Sequence, residues 1–215
     1  MPVASIIGKI PVIYAEDNSY LRESVVKALG HWEIFEIAEA HDGRQLIQLL
    51  NGKSGIVLLD LNMPVMNGNE VMDHLQLYRP DVKVIVTTLY DHEILVEDYL
   101  ARGVKGFISK DMFSGNIKLL AEIIIRVNAG ETLTYTAKKF ETRFTNSQKR
   151  LIPLMCHGAS NFEIAKSIGV RTRSVERQKK RIYSKTGPGT ALDFFKFAFS
   201  RGFQFLRKRA TKIAT

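Results

Sequence analysis

The sequence predicts an α/β domain with a parallel β-sheet, followed by a smaller all-α domain. Up to about residue 130, short β-branched runs alternate with longer helical patterns. Beyond about residue 144, only helical patterns continue, and glycines separate them. Residues 1–130 hold 12 Lys and Arg and 17 Asp and Glu, which gives a net charge of −5. Residues 131–215 hold 19 Lys and Arg and 5 Asp and Glu, which gives a net charge of +14. These observations favour two domains with different partners.

Five strands and five helices alternate in the first part of the chain. We expect strands at 12–15, 35–40, 56–59, 82–87 and 106–109, and helices at roughly 19–29, 43–51, 68–78, 92–102 and 114–128. Each strand–helix–strand step forms a right-handed βαβ unit, so the sheet is parallel and covered on both faces. At this length, the pattern favours a flavodoxin-like doubly wound sheet of strand order 2-1-3-4-5, placed at residues 10–129.

The second part begins after a segment without a clear period. We interpret residues 130–143 as a linker and place the helical domain at residues 144–206. Its helices are predicted at 147–157, 161–168, 172–185 and 190–201, with Gly158, Gly169 and Gly187-Pro188-Gly189 as the helix stops and turns.

Composition excludes several classes of protein. With 45% hydrophobic and 25% charged residues, the chain has the balance of an ordinary globular protein. The single cysteine, Cys156, cannot form an internal disulfide, which favours a reducing compartment. The N-terminus lacks the basic leader of a signal peptide, and the most apolar helical stretch, 119–127, is too short to span a bilayer. We therefore expect a cytoplasmic protein with no membrane partner.

Three carboxylates are predicted to converge at one edge of the sheet. In doubly wound sheets, ligands bind beyond the carboxyl ends of the strands where the winding reverses, here between the first and third strands. Glu16 and Asp17 end the first strand, and Asp60 ends the third. Carboxylates this close repel one another unless a cation or a proton intervenes, and an all-oxygen site suits Mg²⁺. A single acid at a strand end is most often an ordinary surface residue, but three acids at this position favour a site.

Two further strand ends supply complementary chemistry. Thr87 and Thr88 end the fourth strand, and Ser109 and Lys110 end the fifth. A lysine can pair with a phosphoryl oxygen as a point charge, and a hydroxyl can hydrogen-bond another. Taken alone, Lys110 would be a solvated surface residue. Together with the acids, these residues predict a site for a metal-assisted phosphoryl group.

Residues 10–128 resemble the receiver domains of two-component response regulators. The resemblance rests on Glu16-Asp17, the run Asp60-Leu61-Asn62-Met63-Pro64-Val65-Met66-Asn67-Gly68, and Thr88, Phe107 and Lys110 in matching order and spacing. Two departures stand out. Phe107 replaces the commoner tyrosine and lacks its hydroxyl, and Asp111-Met112 follows Lys110 where many receivers have proline.

The resemblance implies a role for each residue of the site. Asp60 would be the phosphoacceptor, and Mg²⁺ would be held by Glu16, Asp17, Asp60 and the main-chain carbonyl of Asn62. Lys110 would contact the phosphoryl group, while Thr88 and Phe107 would act as a switch pair. A cognate sensor histidine kinase is the implied phosphodonor.

The helical domain contains a predicted helix-turn-helix. Thr145 and Gln148 fit a capping box at the first helix, and Gly169-Val170 joins the second helix to a strongly basic third. Val175 and Ile182, seven residues apart, indicate the buried stripe of that third helix. The basic residues around the stripe suit a helix that lies in the major groove between two rows of phosphates. A merely solvated helix, or one that docks on an acidic protein, is the alternative.

Residues 144–203 resemble the LuxR/FixJ (NarL)-type helix-turn-helix. The resemblance rests on Ser160-Asn161-Phe162-Glu163-Ile164-Ala165 and on Ser174-Val175. It implies that Glu176, Arg177 and Lys180 face double-stranded DNA, although Glu176 stands where lysine is common and Gln148 where glutamate is usual. The full set of residues that we assign to DNA binding is Arg173, Glu176, Arg177, Lys179, Lys180, Arg181 and Lys185.

Phenylalanine is concentrated near the end of the chain, where six of the twelve fall between Phe194 and Phe205. We expect the last helix to bury Phe195 and Phe199 against the core, together with Ala191 and Leu192. The remaining rings could complete the core or form a dimer contact. The closing Arg207-Lys208-Arg209 could contact phosphates or be a frayed tail.

The sequence thus predicts a phosphorylation-controlled, DNA-binding transcriptional regulator that dimerises when phosphorylated and is not an enzyme. Two alternatives stay open. The first is a phosphatase of the same general fold that uses Asp60 as nucleophile. The second is a phospho-dependent protein-interaction relay without sequence-specific DNA binding.

Overall fold

The computed structural model describes residues 8–51, 54–136 and 144–207. The chain divides into two compact units, the first comprising Met1–Asp91 and Tyr99–Lys138, the second His92–Asp98 and Lys139–Thr215. In the described part of the chain, no helix combines the length and apolar character needed to cross a membrane.

The first unit is built on a six-stranded parallel sheet of order β2-β1-β3-β4-β5-β6. Its strands are β1 (Ile10–Ala15), β2 (Phe35–Ala40), β3 (Ile56–Leu59), β4 (Lys83–Thr88), β5 (Gly106–Ser109) and β6 (Leu133–Tyr135). The order of the first five strands confirms the flavodoxin-like doubly wound fold.

The sixth strand corrects two predictions, the strand count of five and the interpretation of residues 130–143 as a linker. β6 lies within that segment and pairs with β5 in parallel, Gly106 beside Leu133 and Ile108 beside Tyr135. Leu133 and Tyr135, two residues apart, pack against the hydrophobic core and cover the edge of β5. A three-residue strand is too short to show a period of two in the sequence. Residues 137–143 lie outside the described residues.

Helices follow the strands as the βαβ pattern predicts. They are α1 (Ser19–Gly30), α2 (Gly43–Leu49), α3 (Gly68–Tyr78), α4 (Glu93–Ala101), α5 (Lys110–Phe113) and α6 (Ile117–Asn128). Asn18, Asp42 and Asn67 cap α1, α2 and α3 by accepting hydrogen bonds from backbone N–H groups of the first turn. One helix was predicted at 114–128, but the structure has a short additional helix, α5, that begins at Lys110.

Buried apolar side chains hold the sheet between its helices. Val12, Tyr14, Leu58, Ile85 and Ile108 belong to a single core cluster with side chains of α1 and α6. All four residues of β3 are fully buried, as expected for a central parallel strand covered on both faces.

The second unit contains α7 (Asn146–Cys156), α8 (Asn161–Ile168), α9 (Thr172–Thr186), α10 (Ala191–Ser200) and the 3₁₀ helix Phe203–Phe205. The predicted capping box of Thr145 and Gln148 is present. Gly169 ends α8 with φ 73°, a left-handed conformation that glycine adopts without the steric cost of a Cβ atom. The tight turn from α8 to α9 confirms the helix-turn-helix.

The prediction of the buried face of α10 was wrong. Phe194 and Ala198 are buried, whereas Leu192, Phe195 and Phe199 are 63%, 47% and 68% exposed. Seven of the ten residues of this helix are apolar, so the periodicity of the sequence did not distinguish its two faces. Packing decides between them, because the Phe194 ring lies 5.9 Å from that of Tyr183 on α9.

Candidate functional site

The predicted acidic pocket forms at the carboxyl ends of β1 and β3. These strands are neighbours, with Ala15 beside Leu59, so Glu16 and Asp60 leave the sheet at the same level. Ligand oxygens of Glu16, Asp17 and Asp60 all lie within 4.8 Å of one another. Glu16 and Asp60 are buried, whereas Asp17 is exposed.

Lys110 supplies the positive charge of the pocket. Its Nζ atom lies 2.6 Å from Oε2 of Glu16 and 3.2 Å from Oδ2 of Asp60. The lysine is itself buried and starts α5 directly after β5. The fold therefore brings together the ends of β1, β3 and β5, as the sequence predicts.

The environment of Asp60 makes its carboxyl group a weaker acid than usual. Burial raises its pKa to about 6, the charge of Lys110 counteracts this rise, and the nearby Glu16 adds to it. The backbone N–H of Leu61 donates a 2.8 Å hydrogen bond to Oδ1, which favours the ionised form. Asp60 is thus mostly ionised at neutral pH and becomes protonated in mildly acidic solution.

Glu16 is held by several donors. The hydroxyl of Tyr14 donates to its Oε2 atom at 2.9 Å, and the backbone N–H of Asn18 donates to Oε1 at 3.3 Å. Arg22 donates to its main-chain carbonyl at 2.8 Å. Burial, followed by the charge of Glu16, raises the pKa of Tyr14 far above its ordinary value, so the phenol stays protonated and remains a donor. Tyr14 was not predicted as a site residue, although its position two residues before Glu16 puts both side chains on the same side of the extended backbone.

The loop after Asp60 is closely packed. The N–H of Gly68 donates to the carbonyl of Leu61, and a Cβ atom on Gly68 would lie 2.5 Å from the carbonyl oxygen of Asp60. Only glycine fits this close approach. Val65 has φ 64° and is 67% exposed, an unusual conformation for a β-branched residue. Asn62, whose carbonyl is the predicted metal ligand, lies in this loop with an exposed side chain.

The predicted switch residues occupy neighbouring strands. Thr88 and Phe107 are fully buried at β4 and β5, and Thr88 Oγ1 accepts a 3.3 Å hydrogen bond from the N–H of Tyr90. The Phe107 ring meets that of Tyr99 at 6.3 Å in an edge contact.

The pocket fits a hard divalent cation. Three carboxylates converge there and all offer oxygen ligands, the donor type that Mg²⁺ prefers. Exposed Asp17 leaves one side open for water or a phosphate oxygen. The site therefore could hold a metal ion and a phosphoryl group beside each other.

The exposed face of α9 carries most of the predicted DNA-binding residues. Val175 and Ile182 are fully buried, as predicted, while five residues of the predicted set are exposed: Arg173, Glu176, Arg177, Lys180 and Arg181. A shallow concavity is lined by Arg171, Arg173, Ser174, Glu176, Arg177 and Lys180. Arg171, which directly precedes α9, was not among the predicted DNA-binding residues.

Lys179 and Lys185 differ from the other basic residues of α9. Each is partly buried, and their Nζ atoms donate to Oδ1 of Asn161 at 2.9 Å and to Oε1 of Gln148 at 2.8 Å. These contacts join α9 to α8 and α7.

Comparison with known proteins agrees with this architecture. A family model described as the response regulator receiver domain matches residues 12–123, more than half of the chain. Transcriptional regulatory protein YdfI of Bacillus subtilis is 24% identical over 205 residues, covering 89% of this chain and 96% of the relative. Nitrate/nitrite response regulator protein NarL of Escherichia coli K12 is 26% identical over 189 residues, covering 81% of this chain and 88% of the relative.

A solved structure of the response regulator RcsB in complex with DNA has a TM-score of 0.61 and 20% identity, covering 90% of this chain and 99% of RcsB. This likeness shows a common fold. The chain therefore belongs to the response regulators, with an N-terminal receiver domain and a C-terminal helix-turn-helix domain of the NarL/LuxR type.

Proposed function

We propose that phosphorylation of Asp60 controls the binding of the helix-turn-helix domain to double-stranded DNA, and through it transcription. The observation that carries this proposal is the buried cluster of Asp60, Glu16 and Lys110 at the switch point of the sheet. The relatives, named as transcriptional regulators, support a regulatory rather than an enzymatic role. Its setting would be the cytoplasm.

Phosphoryl transfer requires Asp60 as an ionised carboxylate. One of its oxygens attacks the phosphorus atom, the bond to the phosphohistidine nitrogen of a sensor kinase breaks, and its electron pair stays on that nitrogen. Glu16, Asp17 and Asp60 would hold Mg²⁺ with the carbonyl of Asn62, and the ion would offset the charge of the entering phosphoryl group. Lys110 is near enough to bind a phosphoryl oxygen by exchanging one of its carboxylate contacts.

The acyl phosphate changes the charge next to β4 and β5. A phosphoryl group brings about −1.5 to −2 charges and strong acceptor oxygens. We propose that Thr88 then exchanges its hydrogen bond from Tyr90 for one to the phosphoryl group. Phe107, buried on the neighbouring strand, would repack with it as the second member of the switch pair.

The exposed residues of α9 are proposed to contact DNA directly. Arg173, Arg177, Lys180 and Arg181 would approach phosphates and base edges, and Glu176 could accept from a cytosine amino group. Lys179 and Lys185, which were also predicted to contact DNA, are bonded to Asn161 and Gln148. For these two we propose that they orient α9 in the domain.

The exposed face of α10 is proposed as a dimer contact. Leu192, Phe195 and Phe199 are spaced at helical intervals on one face, and each is about half exposed or more. Two copies joined there would place two recognition helices on half-sites about one helical turn apart. Phosphorylation would favour this homodimer.

One experiment tests the central proposal. The protein is incubated with a small acyl phosphate and Mg²⁺, and phosphorylation, oligomeric state and DNA binding are measured on the same samples. We expect an acid-stable, base-labile phosphate, dimers and tighter DNA binding, all lost in Asp60→Ala. Equal labelling of Asp60→Ala would refute the assignment of the phosphoacceptor.

A salt titration distinguishes DNA binding from the protein-interaction relay. The logarithm of the DNA affinity should fall with that of the salt concentration, with a slope of about −0.9 for each phosphate contacted. Failure to retain DNA even at low salt would favour the relay, and turnover of phosphate esters would favour the phosphatase.

A further inference from the structure

A tyrosine lies directly beneath the acidic pocket, on the same strand as its first acid. Tyr14 is fully buried in β1, two residues before Glu16, so both side chains extend from one face of the strand. The phenol donates a 2.9 Å hydrogen bond to Oε2 of Glu16. A phenylalanine would fill the same space in the core, so the hydroxyl serves the carboxylate and not the packing.

The hydrogen bonds make Glu16 a fixed acid of the pocket. Its Oε2 atom accepts from both Tyr14 and Lys110, and its Oε1 atom accepts from the backbone N–H of Asn18. The side chain of Asp17, by contrast, is exposed. A metal ion that enters the pocket would therefore meet Glu16 and Asp60 already in place, whereas Asp17 must still be ordered.

The two side-chain donors to Oε2 differ in what they can do when a ligand arrives. Lys110 also lies 3.2 Å from Asp60, and its cationic amine repels a divalent ion and attracts a phosphoryl group. Its contact with Glu16 is thus the one expected to break. Tyr14 is neutral and reaches Glu16 from the buried side, so its hydrogen bond can persist without competing with a cation.

We propose that Tyr14 is a positioning residue for the divalent-metal site, and that its hydroxyl holds the Glu16 carboxylate in the orientation that binds the ion. This inference rests on the proposed function, because it assumes a metal site at these carboxylates. Hydrogen-bond partners of metal ligands typically affect metal affinity 10- to 100-fold when they are removed.

The test measures metal binding directly and needs no phosphorylation. Free Mn²⁺ is followed by electron paramagnetic resonance during titration of the full-length protein, and Mg²⁺ is then added as a competitor. We expect Tyr14→Phe to weaken binding of both ions about 10-fold. Tyr99→Phe is the matched control, since Tyr99 is equally buried in the same unit, and it should bind within twofold of wild type.

A double variant separates positioning from a general structural effect. If Tyr14 acts through Glu16, Tyr14→Phe should cause no further loss of metal affinity in a Glu16→Gln background. Equal losses in both backgrounds, or wild-type affinity in Tyr14→Phe, would overturn the proposal.

One further measurement and the wild-type titration distinguish the possible outcomes. Thermal unfolding without metal should show that Tyr14→Phe is folded at the assay temperature; if it is not, Tyr14 is structural and the proposal is wrong. Absence of Mn²⁺ and Mg²⁺ binding by wild type would refute the metal site itself. Metal binding with no effect of Tyr14→Phe would leave the proposed function intact and refute this inference alone.

Discussion

The amine of Lys110 lies 3.2 Å from the carboxylate of Asp60, and both side chains are buried. The lysine partly offsets the cost of a buried charge, yet the pKa of Asp60 is still raised to about 6. The proposed phosphoacceptor is therefore a carboxylate whose ionised form is stabilised by one cation and destabilised by its surroundings. This balance makes both its reactivity and its effect on stability depend on pH.

Phosphorylation of Asp60 by a small acyl phosphate should rise with pH between 5 and 7 and then level off. The ionised carboxylate is the nucleophile, and with a pKa of about 6 its population increases about tenfold over that interval. The initial rate of labelling at a limiting Mg²⁺ concentration, at which most of the protein is free of metal, measures this profile. A rate that does not change between pH 5 and 7 would contradict it.

Asp60→Asn should stabilise the protein at pH 7 more than at pH 4. The pKa of Asp60 in the folded protein lies above its ordinary value of 3.8, so protonation of Asp60 at low pH stabilises the folded state. This stabilisation is lost as the pH rises through about 6, whereas Asn stays neutral at both pH values. This shift of the pKa corresponds to about 2 to 3 kcal/mol in the free energy of unfolding. Urea unfolding at both pH values measures the difference. Asp81→Asn is the control: this exposed acid has a lowered pKa, so its removal should bring no such gain.

Arg102 should be important for stability although it lies outside the site. Its side chain is 2% exposed and pairs with Asp73 at 2.7 Å, while a second nitrogen donates to Oδ1 of Asn69 at 2.6 Å. Arg102→Ala would remove these links to α3 and leave a cavity, for which we expect a loss of about 2 to 4 kcal/mol in the free energy of unfolding.

The comparison variant for Arg102 is Arg79→Ala. Arg79 also pairs with an aspartate, Asp81, but that acid is 52% exposed, and Arg79 is held as well by a 2.6 Å hydrogen bond to the carbonyl of Leu50. Its loss should lower the free energy of unfolding clearly less than the loss of Arg102. Similar losses in urea unfolding for the two variants would show that burial of Arg102 does not determine its contribution.

Arg177 and Lys179 should respond differently in DNA binding, although both are cationic residues of α9. Arg177 is exposed in the concavity, so Arg177→Ala should weaken DNA binding at low salt. If Arg177 contacts a phosphate, the variant should also reduce the magnitude of the slope of log affinity against log salt concentration by about 0.9. Lys179 is bonded to Asn161, so Lys179→Met should leave the slope nearly unchanged and lower thermal stability instead. Fluorescence anisotropy at several salt concentrations measures both slopes. A larger slope change for Lys179→Met would reverse the assignment.

Phe199→Glu should prevent dimerisation of the phosphorylated protein without unfolding it. The side chain is 68% exposed, so a charge there costs little in the monomer but would be buried in a dimer that uses α10. Phe162→Glu is the matched control, because Phe162 is 69% exposed on α8. Sedimentation velocity after phosphorylation measures the outcome. Dimers of Phe199→Glu as tight as those of wild type would exclude this face.

Local patterns in the sequence were enough to predict the receiver fold and the position of its site. Continuous apolar runs such as β3 indicate strands that are buried on both faces, and Asp60 directly follows that run. Once the strand order is known, the ends of β1, β3 and β5 must meet at one edge, which places Glu16, Asp60 and Lys110 together. Backbone topology alone determines this convergence.

Other features depend on contacts between residues far apart in the chain, and only the tertiary structure decided them. β6 forms because Leu133 and Tyr135 pack against the core while their strand pairs with the edge of β5. The buried face of α10 is the one that packs against α9. Lys179 and Lys185 differ from Arg177 because they have hydrogen-bond partners on other helices. In the same way, the acidic residues of the pocket can be recognised in the sequence, whereas the burial that raises the pKa of Asp60 is a property of the packed fold.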